Sequence, residues 1–150
     1  MKPYLAADGS TLRVFIVDDE PDNRELFQIM LDWEGFLTST FASGEDALAA
    51  VDEQAPHLML IDLMMPGMNG YEVVSHMRAN PRTKSIPIMI VSAMNDRASK
   101  VAALAAGADD FLSKPMNRVE LCDRVKQLLE LKAAERLEAA SVDMARLVGG

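Results

Sequence analysis

The 150-residue chain has the length of one ordinary domain or two very small ones. Its composition, 49% hydrophobic and 25% charged, is that of a globular protein and excludes a disordered one. Fifteen basic against 23 acidic residues give a net charge of −8, which argues against a nucleic-acid-binding surface and against attachment to an acidic membrane leaflet. The single cysteine, Cys122, excludes an intrachain disulfide and a cysteine-rich zinc site, so a reducing, cytoplasmic setting is expected. Apolar runs such as Leu58 to Ile61 are far shorter than the ~20 residues of a membrane span. Residues 1–10 carry no apolar signal-peptide region and are expected to be a flexible lead.

In chain order, the first strand is expected over Leu12 to Val17. A helix follows from Pro21, which suits a first helical turn, to Trp33, with Gly35 as its stop. Leu26, Phe27, Met30 and Trp33 are expected on one broad packing face of that helix. The second strand is expected over Phe36 to Thr40. Ser43 is the expected N-cap of a helix to about Glu53, with Asp46 at the third position. Leu58 to Ile61 gives the third strand, and Asn69-Gly70 precedes a helix over Tyr71 to Arg78. The fourth strand is expected over Ile86 to Val91, and its helix from Arg97 to Ala106, stopped by Gly107. A weaker strand, Asp110 to Leu112, precedes a last helix capped by Asn117, with Leu121, Val125, Leu128 and Leu129 inward.

Strands that read as continuous apolar runs are buried on both faces. Alternated with helices, they imply βαβ units and a parallel sheet. Five such strands in about 120 residues match the flavodoxin-like, doubly wound order 2-1-3-4-5 with five helices. In that topology the ligand site lies at the carboxyl ends of the strands. The sequence beyond Leu131 is rich in Ala, Leu and Glu, so residues 132–150 are expected to form a helical extension or linker. Its heptad pattern is poor, with Lys132 and Glu135 at seam positions.

The residues just past each strand carry the chemistry. Strand one ends in Asp18-Asp19-Glu20, strand three in Asp62, strand four in Ser92, and strand five runs into Lys114-Pro115. An Asp at one strand end is more often a cap or turn residue. Four ends meeting in one crevice make that reading poor. Neighbouring carboxylates repel and persist where a cation satisfies them. An all-oxygen set without His or Cys suits Mg²⁺, which prefers carboxylates, waters and phosphate oxygens. Lys114 then reads as a phosphate counter-charge, Ser92 as a donor to a phosphoryl oxygen and Asp62 as a phosphoryl acceptor. His57, His76 and Cys122 read as structural or surface residues.

These motifs, VDDEPDNR at 17–24, IDLMMPGMNGYEV at 61–73, PIMIVSA at 87–93 and AGADDFLSKP at 106–115, resemble the receiver domain of two-component response regulators. The resemblance covers Leu12 to Leu131 and implies a domain over 11–131. It implies that Asp62 is phosphorylated by a sensor histidine kinase or histidine phosphotransfer protein. It implies direct Mg²⁺ ligation by Asp19, Asp62 and the Met64 carbonyl, with Asp18 acting through water. Lys114 and Ser92 would contact the phosphoryl group, and Ser92 and Phe111 would form the switch. The Lys114-Pro115 bond would be cis, and Gly67 and Gly70 would serve the turn after Asp62. Such a domain signals rather than turning over a substrate, and a homodimer through the last two helices would be open to it. The effector is not named by the sequence.

Two other classes share parts of this pattern. A haloacid-dehalogenase-type phosphatase needs a second Asp two residues after the nucleophile, where this chain has Met64. A flavin module needs a neutral phosphate loop after strand one, where this chain has acidic DDEPDN. A receiver used only as an interaction platform would not need the full set of acidic, hydroxyl and Lys residues.

Overall fold

Five strands, β1 (Arg13–Val17), β2 (Leu37–Phe41), β3 (Leu58–Asp62), β4 (Ile88–Ser92) and β5 (Asp110–Ser113), pair in parallel in the order β2-β1-β3-β4-β5. A computed structural model describes residues 5, 6 and 8–148. The connecting helices are α1 (Pro21–Trp33), α2 (Gly44–Glu53), α3 (Gly70–Ala79), α4 (Arg97–Ala106) and α5 (Arg118–Val148). This is the flavodoxin-like doubly wound sheet with five helices. Among the described residues, no helix is long and apolar enough to cross a membrane.

Successive strand residues point to opposite faces, and each face has its own core. Phe15, Met59, Ile61, Ile88 and Ile90 pack with Ala47 of α2, Val73 and Val74 of α3, and Ala103 of α4. Val14, Ile16, Leu58, Leu60 and Met89 pack with Phe27 and Leu31 of α1 and Leu121, Val125 and Leu128 of α5. Cys122 is buried in this second layer, and burial pushes its thiol up to about 11, so it serves as an apolar filler.

The helix starts follow local chemistry. Ser43 accepts from the Asp46 amide at 3.1 Å, and Asn69 and Glu72 form a capping box on α3. Asp96 caps α4 through the Ser99 amide, and Asn117 accepts from the Glu120 amide at 2.8 Å to start α5. Strand β4 starts two residues later than its apolar run, because Pro87 has no N–H for the ladder.

Helix α1 differs from the sequence expectation. Phe27 and Leu31 are its buried pair, Met30 is partly buried, and Leu26 and Trp33 are 49% and 60% exposed. At ~100° per residue, a helix that buries positions 27 and 31 turns 26 and 33 away from the sheet. Trp33 therefore does not pack the helix against the domain.

Residues 1–4 and 7 of the expected lead lie outside the described residues. Leu5 bridges Thr11 in antiparallel fashion, and the Ala6 amide donates to the Ser10 carbonyl at 2.8 Å. His57 is structural: its Nδ1 accepts from the Arg13 amide at 2.9 Å, and its own amide donates back to the Arg13 carbonyl.

Candidate functional site

The carboxyl ends of β1, β3, β4 and β5 bring the predicted residues into one crevice. Asp18, Asp19 and Asp62 each offer a carboxylate oxygen, and these oxygens lie within 4.8 Å of one another. Lys114 Nζ is 3.1 Å from Asp18 Oδ2 and 3.7 Å from Asp62 Oδ1. Ser92 is buried, and its Oγ accepts from the Met94 amide at 3.1 Å. The Lys114 amide donates to the Ser92 carbonyl at 2.8 Å, tying the fourth and fifth strand ends together, and the Lys114-Pro115 peptide is cis.

Asp18 is the most constrained carboxylate, 1% exposed. Its Oδ1 accepts from the Glu20 amide at 2.9 Å, and its carbonyl accepts from Arg24 Nη1 at 2.7 Å. Arg24 belongs to the quoted motif at 17–24 but has no role assigned from sequence. Its signal is position, since the first turn of α1 aims it back at the strand end. Phe27 is a second unassigned contributor, its ring centroid 5.7 Å from Lys114 Nζ.

Asp62 is held differently. Burial, with Asp18 and Asp19 beside it, pushes its carboxyl up to about 6, against the opposing pull of Lys114 and a Met64 backbone hydrogen bond. The turn after it depends on two glycines. Gly67 has φ +74°, and a Cβ on Gly70 would lie 2.8 Å from the Asp62 carbonyl oxygen. The Gly70 amide donates to the Leu63 carbonyl across this close approach. Met64 and Met94 stand at the rim, 58% and 42% exposed, and Phe111 is buried in the layer with Ile90 and Ala103.

The donor set is all oxygen, crowded and net negative. One ammonium does not neutralise three carboxylates, so the chemistry fits a hard divalent cation.

The sheet order and the strand-end acidic cluster faced by a lysine define a doubly wound α/β domain with its candidate site at the carboxyl ends of the strands. The family model for the response regulator receiver domain matches residues 14–126, and the chain belongs to that family of two-component signalling proteins. It is 40% identical over 135 residues to the DNA-binding response regulator MtrA of Mycolicibacterium smegmatis, covering 90% of this chain. The chain spans only 58% of that relative's length. The signal receiver domain of a signal transduction histidine kinase from Syntrophus aciditrophicus superposes with a TM-score of 0.75 at 31% identity, covering 80% of this chain and 91% of that one. The chemotaxis protein CheY4 of Vibrio cholerae superposes at 0.76 with 28% identity, covering 79% and 99%.

Proposed function

We propose that this domain accepts a phosphoryl group on Asp62 from the phosphohistidine of a sensor kinase or phosphotransfer protein, in a Mg²⁺-dependent reaction. The observation that carries this reading is the convergence of Asp18, Asp19, Asp62, Ser92 and Lys114 at four strand ends. Asp19, Asp62 and the Met64 carbonyl would hold the ion, with Asp18 acting through water. When bound, the ion neutralises charge on the phosphoryl oxygens. The Asp62 oxygen attacks phosphorus as the P–N bond of phosphohistidine breaks, and the imidazole leaves with the bonding pair. Lys114 stabilises the transferred group, and Ser92, whose Oγ accepts from the Met94 amide, donates a hydrogen bond through its O–H to a phosphoryl oxygen. Movement of Ser92 and Phe111 then biases the α4–β5–α5 surface, which contacts an effector domain or partner. The net charge of −8 argues against direct nucleic-acid contact by this domain. Its place of action would be the cytoplasm, and it would turn over no external substrate.

Incubation with Mg²⁺ and acetyl phosphate should add one hydroxylamine-labile phosphoryl group per chain, read by intact-mass spectrometry. A protein left unmodified by both acetyl phosphate and a phosphohistidine donor would overturn the proposal. The phosphoryl group should also be long-lived, because Met64 and Met94 offer no polar atom to orient an attacking water. Met64→Asn is expected to shorten its half-life about tenfold, within what positioning one water supplies. A wild-type half-life of seconds would contradict this account.

A further inference from the structure

Burial divides the sulfur atoms of this chain into two groups. Met59, Met65, Met77 and Met89 are buried in the two cores, and Cys122 is buried as a thiol. Met30, Met68 and Met116 are partly buried against the same cores. Among the described residues, Met64, Met94 and Met144 are the exposed methionines, at 58%, 42% and 62%. Met144 stands near the end of α5, but the other two belong to the crevice. The Met64 amide donates to the Asp62 carboxylate, and the Met94 amide donates to Ser92 Oγ at 3.1 Å. Each of these thioethers is therefore open to solvent on a residue whose backbone is fixed to a group of the site.

Exposure decides which sulfur an oxidant reaches. The thioether sulfur attacks a peroxide oxygen and the O–O bond breaks. An S–O bond forms, and the peroxide's own proton passes to the departing hydroxide to give water. Sulfur is oxidised by two electrons and the peroxide is reduced. The product is a sulfoxide, which turns a flexible apolar side chain into one with a strong hydrogen-bond acceptor near its tip.

We propose that Met64 and Met94 form a peroxide-sensitive pair whose oxidation shortens the life of the phosphoryl group on Asp62. This rests on Asp62 being the phosphoryl acceptor. In the reduced protein both side chains are apolar, and a water beside the phosphoryl group finds no polar atom on them. A sulfoxide oxygen accepts a hydrogen bond from that water and leaves its lone pair free for phosphorus. The water oxygen bonds to phosphorus, and the P–O bond to Asp62 breaks. The carboxylate recovers the bonding pair, and the water's proton leaves with inorganic phosphate. The sulfoxide is too weak a base to take that proton, so its effect is positional. Oxidation does not touch the Met64 carbonyl, so the candidate ion site keeps its donors.

The full chain, treated with millimolar hydrogen peroxide and then with catalase, should gain oxygen at Met64, Met94 and Met144, located by peptide mass mapping. The buried sulfurs should be unchanged. After phosphorylation with Mg²⁺ and acetyl phosphate and removal of the donor, loss of the phosphoryl group is followed by intact mass. Its half-life should be about tenfold shorter than in untreated protein. Methionine sulfoxide reductase with a thiol reductant should restore it. Met144→Leu should respond to peroxide as the wild type does, whereas Met64→Leu/Met94→Leu should show one half-life before and after treatment. Oxidation that spares Met64 and Met94, or an oxidised pair with an unchanged half-life, would overturn this proposal alone. A chain that takes up no phosphoryl group before any oxidation would overturn the reading of Asp62 and this inference with it.

Discussion

Asp62→Asn is expected to abolish phosphoryl uptake and, at the same time, to make the metal-free protein more stable at neutral pH. The Asn side chain has no carboxylate oxygen to attack phosphorus, so the first loss should be complete. The second effect follows from linkage. The Asp62 carboxyl is raised from its ordinary 3.8 to about 6 in the folded protein, chiefly by burial. The folded state therefore holds its proton more tightly than the unfolded state between those two values. Stability is fully supported below about pH 4, falls as pH rises to about 6, and stays at the lower level above that. The difference is about 3 kcal/mol, and it needs little discount because the side chain is only 11% exposed. Asn carries no charge at any of these pH values. Urea midpoints in EDTA should coincide for variant and wild type near pH 4, separate up to pH 6, and keep a constant gap to pH 8. Mg²⁺ should close the gap by stabilising the wild type alone. Equal midpoints at pH 7 in EDTA would show that the three carboxylates do not strain the free site.

The sheet and the crevice are legible in the sequence for a common reason. Buried parallel strands show themselves as unbroken apolar runs, and their carboxyl ends are the residues that follow. Ile61 announces β3, and Asp62 is then fixed at its end without knowledge of any contact. Caps are legible in the same way, since Ser43 and Asn117 act on amides three residues away, whereas Asp96, which caps α4 by the same spacing, has no role assigned from sequence. What depends on packing direction is less visible. Leu26, Phe27, Met30, Leu31 and Trp33 form an apolar set wide enough for two different faces. The choice of Phe27 and Leu31 is made by the strands beneath, which the helix sequence does not contain. The partners of charged residues are equally hidden. Lys114 could be placed in the crevice from its position after β5, but not its closer approach to Asp18 than to Asp62.

The largest stability loss outside the cores is expected from Asp109→Ala, at the opposite end of the sheet from the crevice. Arg78, near the end of α3, threads its guanidinium among backbone carbonyls. Nε donates to Gly107 at 2.8 Å, and Nη1 donates to Lys84 at 3.0 Å and Ile86 at 2.7 Å. Among the described residues, the countercharge paired with it is Asp109, whose Oδ2 lies 2.8 Å from Nη2. The same oxygen accepts the Ile88 amide at 2.8 Å, and Oδ1 meets Lys132 Nζ at 2.9 Å. Asp109 therefore fixes the start of β4, the approach to β5, the end of α3 and the root of the α5 extension. Burial lowers the pKa of Arg78, and Asp109 counters this. Removal of the carboxylate leaves a largely desolvated cation among carbonyls and an amide without its acceptor, at a cost of about 2–4 kcal/mol. Lys132→Ala, which removes an ion pair but no backbone hydrogen bond of the network, should cost less than about 1 kcal/mol. The double variant Arg78→Met/Asp109→Ala should be less unstable than Asp109→Ala alone, because the stranded charge leaves with its partner. Folded Asp109→Ala protein should still take up a phosphoryl group at Asp62, since nothing in the crevice has changed. An Asp109→Ala urea midpoint indistinguishable from wild type would mean that water replaces the carboxylate around Arg78, and that the cation is solvated from the open end of the sheet.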